Sequence, residues 1–134
     1  QVLAVHGSTR MYNSTSIKGW RIGVQSGTAG KELVAGREGV VMKEYANIAG
    51  AMEDLYVMRL DGVVCDAPVA AHYAVTTYQN RLKVTGYLGE GSRQKYAIVV
   101  AADNQELLDR INSALSTVKA RGIDQELGLK WFRP

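Results

Sequence analysis

An α/β domain with a mostly parallel sheet flanked by helices is the fold class the sequence predicts, on three observations. Short β-type runs alternate with helical stretches along nearly the whole chain. The run Gly62-Val63-Val64-Cys65 is apolar at consecutive positions, as in a strand buried on both faces. Two strands pass directly into helix starts, at Gln25-Ser26-Gly27-Thr28-Ala29 and at Cys65-Asp66-Ala67-Pro68. The 134 residues suffice for one compact core that buries roughly two thirds of the unfolded surface.

Taken in order, residues 2–6 read as a strand, followed by a loop over 7–16 rich in Ser, Thr and Asn. Residues 20–25 form the next strand, and Ser26-Gly27-Thr28 turns it into a helix over about 29–35. Residues 39–45 are a third strand. Asn47, with a side-chain oxygen suited to an N-cap, starts a helix running to about Arg59. The Gly62 strand comes next, and Pro68 suits the first turn of the helix after it, because that turn leaves N–H groups unpaired in any case. A short strand is expected at 82–85 and a longer one at 96–101, Tyr-Ala-Ile-Val-Val-Ala. Leu107, Leu108, Ile111, Leu115 and Val118 then recur at helical spacing, so one stripe of that helix must face a core. Gly122 stops it, and a final helix ends near Trp131-Phe132. Internal repeats and low-complexity tracts are absent from the sequence.

Composition narrows the function. The net charge of +3 is small and the cations are scattered among acids, whereas a nucleic-acid groove needs a basic stripe with stacking aromatics. No nucleic-acid partner is expected. No apolar run approaches the ~20 residues that span a bilayer. Cys65 is the single cysteine, which excludes an internal disulfide and a multi-cysteine zinc site. His6 and His72 lack partners at metal-ligand spacing and read as surface or packing residues. Paired carboxylates, a Ser-His-Asp order, a P-loop and a Gly-x-Gly-x-x-Gly motif are all missing. The reading is therefore a binder without catalytic residues, metal or cofactor.

The two strand–helix junctions are the candidate site. In a parallel sheet both fall at the carboxyl ends of strands, where open α/β folds hold ligands. The first junction offers backbone N–H groups, the open approach of Gly27 and the Thr28 hydroxyl, a set suited to a carboxylate. The second offers the Asp66 carboxylate, suited to an ammonium group. Together they match the two charges of an α-amino acid. Each also has a purely structural reading, as turn chemistry with an N-cap. Cys65 by itself reads as a small buried hydrophobe.

The ordered residues also resemble a known family. Ser16-Ile17-Lys18-Gly19-Trp20-Arg21-Ile22-Gly23-Val24-Gln25-Ser26-Gly27-Thr28 is similar to the "leu-lys-gly-lys-x-val-gly-val" phrase and Gly-Thr turn of the solute-binding proteins for polar amino acids. Arg59-Leu60-Asp61-Gly62-Val63-Val64-Cys65-Asp66 resembles their "gly-arg-x-asp-ala-val-x-x-asp" strand. Tyr96 to Val100 resembles the strand crossing back to the first lobe, and Glu106 through Phe132 the C-terminal helices. The resemblance implies a lobe of a type 2 periplasmic binding protein, flavodoxin- or Rossmann-like in fold. Residues 1–95 would be the second ligand-binding lobe, and 96–134 the crossover strand and helices that pack on a first lobe largely missing here. Thr28 and the Ala29 N–H, within the Ser26-Gly27-Thr28 turn, would meet the ligand α-carboxylate and Asp66 its α-ammonium. Gln25 and Cys65 would face the ligand side chain. The implied partners are a free amino acid and, through the intact protein, the membrane permease of an ABC importer, on the periplasmic or extracellular face of a bacterial membrane. With the first lobe missing, the apolar tail is expected to fold back onto its own sheet or to exchange between two chains in a homo-oligomer. Other readings are the sensor module of a membrane receptor kinase, a dehydratase of the same fold, or a free-standing domain without a ligand.

Overall fold

The computed structural model of the chain describes residues 1–10, 16–79, 81–89 and 96–131. It divides into two compact units, residues 1–93 and 94–133. The first holds strands β1 (Val2–His6), β2 (Arg21–Gln25), β3 (Val41–Tyr45), β4 (Gly62–Cys65) and β5 (Leu82–Tyr87). Its helices are α1 (Ala29–Ala35), α2 (Ile48–Tyr56) and α3 (Ala67–His72), the last continued by a π-helical stretch at Tyr73–Thr77. The second unit holds α4 (Gln105–Ala120) and α5 (Ile123–Trp131).

The five strands form one sheet in the order β3-β2-β4-β1-β5. β2 pairs in parallel with both β3 and β4, whereas β1 is antiparallel to β4 and to β5. One reversed strand therefore lies inside an otherwise parallel set. The carboxyl ends of β2, β3, β4 and β5 and the amino end of β1 share one edge of the sheet.

Alternation along the strands builds two cores. Val2, Ala4, Val63 and Cys65 point to the face covered by α2 and α3, with Ala51, Met52, Leu55 and Ala70. Leu3, Val5, Ile22, Val24 and Val64 point to the opposite face, where Val34 of α1 packs. Period-two side chains on strands that are buried on both sides produce this split. Gly23 breaks the alternation for a steric reason: a Cβ there would sit 2.6 Å from Leu60 Cδ1 and 3.3 Å from the Ala51 Cβ. Its absence lets α2 approach the sheet. Filling that space would cost on the order of 1–3 kcal/mol through overpacking.

Local chemistry sets the element ends. The Asn47 side chain accepts from the Gly50 N–H at 3.0 Å, capping α2. That helix ends at Tyr56, three residues earlier than its sequence pattern indicates, because Met58 turns into the left-handed region at φ 59°. The Arg59 and Leu60 N–H groups then fold back onto the Asp54 carbonyl. At the other boundary Asp61 accepts from the Arg21 backbone N–H at 2.8 Å and from its guanidinium at 2.9 Å, tying the starts of β2 and β4 together.

Some expectations need correction or lie outside the described residues. The apolar segment Tyr96 to Ala101 is not a strand, because no partner strand supplies a ladder among the described residues; Val99 is 91% exposed. The stripe of α4 is likewise not in a core: no α4 residue is buried, and Leu107 and Leu115 are 40% and 39% exposed. The loop expected over 7–16 is described only outside 11–15, and Phe132 and the expected boundary at residue 95 also lie outside the described residues.

Asp54 fastens the edge strand β3 to α2. Its carboxylate receives the Lys43 ammonium at 2.7 Å, the Tyr45 hydroxyl at 2.6 Å and Arg59 at 3.3 Å. These donors, Lys43 foremost and then Tyr45, pull its pKa from 3.8 down to about 2. A depressed carboxylate stabilises the fold above its unfolded value and loses that contribution as the pH falls through its folded value. Asp54→Asn should therefore lower the urea midpoint at neutral pH. The gap from wild type should close between pH ~4 and pH ~2, as equilibrium unfolding at several pH values would show.

Candidate functional site

β2 and β4 are adjacent and parallel, with Ile22, Gly23 and Val24 abreast of Gly62, Val63 and Val64. Continuing that register brings Gln25 level with Cys65, one strand spacing of about 4.8 Å away. The two junctions singled out in the sequence thus stand side by side at one edge. The structure brings together Gln25, Ser26, Gly27, Thr28 and Ala29 on one junction, with Cys65 and Asp66 on the other.

At the first junction Gly27 adopts φ +70°, and a Cβ there would meet nothing within 4 Å. The turn is open above this residue. Thr28 is the N-cap of α1: its hydroxyl accepts from the Lys31 N–H at 3.4 Å and donates to the Gln25 carbonyl at 2.8 Å. The capping role read from the sequence is therefore realised, and its hydroxyl proton rests on Gln25. Ala29 and Gly30 occupy the first turn of α1, whose N–H groups have no intrahelical acceptor. Ser26 donates to Glu44 at 3.0 Å, and Lys31 pairs with the same carboxylate at 3.1 Å. Lys31 and then Ser26 hold Glu44 below the usual carboxylate range.

At the second junction Asp66 stands at the N-cap of α3 yet makes no side-chain cap bond, in contrast to Thr28 and Asn47. Its carboxylate instead accepts from the Gln1 side-chain amide at 2.5 Å. Cys65 is buried at 8% exposure, and burial, followed by the neighbouring Asp66 charge, pushes its thiol up to about 12. The thiol is therefore neutral at physiological pH and a poor nucleophile.

Gln1 has no counterpart in the sequence reasoning, since a single Gln before an apolar strand carries no signal. It reaches the site because β1 runs backwards: Val2 lies opposite Cys65, which sets Gln1 beside Asp66. Its side-chain oxygen lies against α1, 3.0 Å from where a Cβ on Gly30 would be, and its carbonyl accepts from Leu88 N–H at 3.0 Å. Elsewhere, His6 bonds Ser8 at 2.7 Å, and His72 lies edge-on to the Tyr73 ring. A concave surface of about 460 Å³, lined by Tyr56, Thr77, Tyr78, Gln79 and Arg81, sits at the opposite edge of the sheet. Tyr56 and Tyr78 stack there on each other at 4.8 Å, and no residue of the two junctions lines it.

This geometry defines an open α/β lobe with an anion-suited turn and a carboxylate on neighbouring strands. The comparisons with known proteins agree with the fold. No family model matches the chain. It is 34% identical over 122 residues to the ABC transporter arginine-binding protein 1 of Escherichia coli, covering 87% of this chain and 49% of that one. It is 32% identical over 117 residues to the L-cystine-binding protein TcyJ of the same species, covering 87% and 43%. An ancestral arginine-binding protein bound to glutamine superposes with a TM-score of 0.72 at 31% identity, covering 98% of this chain and 58% of the other. The chain is a homologue of the solute-binding proteins of amino-acid ABC transporters, with the fold of a type 2 binding-protein lobe. It spans about half the length of the curated relatives it matches. Those relatives are binding proteins rather than enzymes. No helix among the described residues is long and apolar enough to cross a membrane.

The buried neutral thiol gives a direct test. Native chain at pH 8 should react with iodoacetamide about three orders of magnitude more slowly than chain unfolded in urea, about the ratio of thiolate populations. Equal rates would contradict the burial of Cys65.

Proposed function

We propose that this chain is the second lobe of a receptor for a polar amino acid, delivering its ligand to the permease of an ABC importer outside the cytoplasmic membrane. The observation that carries the reading is the side-by-side placement of the two junctions, with the Asp66 carboxylate held off its own helix. The ligand α-carboxylate meets the Ser26-Gly27-Thr28-Ala29 turn. There the Ala29 N–H donates, and the Thr28 hydroxyl exchanges its bond to Gln25 for one to the ligand. Asp66 pairs with the α-ammonium. Gln25 and Cys65 face the side chain, and the names of the relatives, arginine- and cystine-binding, favour a ligand with a polar or cationic side chain. The site binds without transforming: the one thiol beside it is neutral, and the binding groups are fixed donors and an acceptor.

Residues from Tyr96 onward fit this reading as the segment that packs on the first lobe of the complete protein. That role explains why Ile98, Val99 and the α4 stripe are apolar yet exposed here. In the isolated chain the same surface favours exchange between two copies.

A few charge-assisted hydrogen bonds, at about 1.5–3 kcal/mol each, oppose several kcal/mol of lost ligand freedom. One lobe alone should thus bind free amino acid at about millimolar Kd. Calorimetric titration of the chain with L-arginine and L-glutamine should give this affinity for at least one of them. Asp66→Ala should abolish the binding, and Thr28→Ala should weaken it about tenfold. An Asp66→Ala chain that binds as wild type would overturn the assignment.

A further inference from the structure

We propose that Gln1 is the positioning residue of the ammonium site: its side-chain amide, lodged against the first turn of α1, orients the Asp66 carboxylate toward the ligand. The inference rests on the amino-acid-binding reading above and extends it to a residue outside both junctions.

Three observations support it. First, Asp66 occupies an N-cap position but leaves its helix uncapped, although Asp is among the strongest capping residues. Its carboxylate is drawn elsewhere, to Gln1 Nε2 at 2.5 Å. Second, the Gln1 amide spans both halves of the site. Its nitrogen is on Asp66, and its oxygen faces the first turn of α1 at Gly30, where any side chain would crowd both that oxygen and the Val64 carbonyl at 3.0 Å. The absence of a side chain at position 30 makes room for the Gln1 amide. Third, Gln1 is itself fixed, because its carbonyl accepts from Leu88 N–H and the next residue, Val2, is locked in register between β4 and β5.

The chemistry follows from the donor. The donor is a neutral amide, which engages a carboxylate oxygen without adding a counter-charge of its own. A Lys or Arg in the same place would compete with the ligand as a counter-ion. Glu would repel Asp66. A Gln reaching from a reversed strand fixes direction, which lowers the ordering cost when the ligand arrives.

The test separates positioning from general support by comparing two ligands that differ only in the α-ammonium: L-arginine and its deaminated analogue 5-guanidinopentanoate. Binding of each to the chain is followed by NMR titration for wild type, Gln1→Met and Gln1→Ala, with circular dichroism to confirm folding. Wild type should prefer L-arginine. Gln1→Met, similar in size but unable to donate, should lose at least about fivefold in affinity for L-arginine and less than about twofold for the analogue. Gln1→Ala should behave in the same way. Equal losses for both ligands, or no loss for either, would overturn the positioning role while leaving the amino-acid site intact. A wild-type chain that binds both ligands alike, or neither, would overturn the ammonium site and this inference with it.

Discussion

The reversed direction of β1 is the constraint on which the site depends. Inserted between β4 and β5, it satisfies the backbone of both neighbours and sends its amino end to the edge where β2 and β4 end. Had β1 run parallel to β4, its carboxyl-terminal His6 would stand beside Asp66, and an imidazole ring would face the carboxylate instead of an amide. The same insertion divides the apolar residues between two faces, since Val2 and Ala4 complete one core and Leu3 and Val5 the other. Stability and site geometry therefore come from one strand.

Around that strand, rigid and adaptable parts are separated. The junction residues grow from strands whose side chains are nearly all buried, so their backbone directions are fixed before any ligand arrives. The edge strand β3 is mostly exposed and depends on polar fastening through Asp54, Lys43 and Tyr45. The turn at Gly27 is open, and electrostatic contacts made in a high-dielectric, open site are weak. In the proposed receptor, a first lobe closing over it would strengthen each contact by excluding water.

Much of the fold was legible because local chemistry and tertiary packing agree. Gly62 to Cys65 is apolar throughout and is fully buried; Asn47 is read as a cap and caps. The junction residues were legible for the same reason, as turn-forming chemistry at strand ends. The direction of β1 was not legible, since alternation says which face a residue takes and nothing about which way its strand runs; Gln1 went unnoticed with it. The segment from Tyr96 fails differently. Its composition favours extended backbone, but a strand exists only through pairing, and β-branched residues without a partner leave an exposed segment without regular structure. The period of α4 correctly gives a helix, while the surface that would cover its stripe is not specified by the stripe itself.

The central claim is that the carboxyl edge shared by β2 and β4 is the ligand site, and amide shift mapping locates binding most directly. Titrating labelled chain with L-arginine should move the backbone signals of Gly27, Thr28, Ala29 and Asp66, together with Leu88, which is bonded to Gln1, and leave Tyr78 and Arg81 unmoved. Shifts concentrated around Tyr56, Tyr78 and Arg81, or none localised anywhere in a folded sample, would contradict the account.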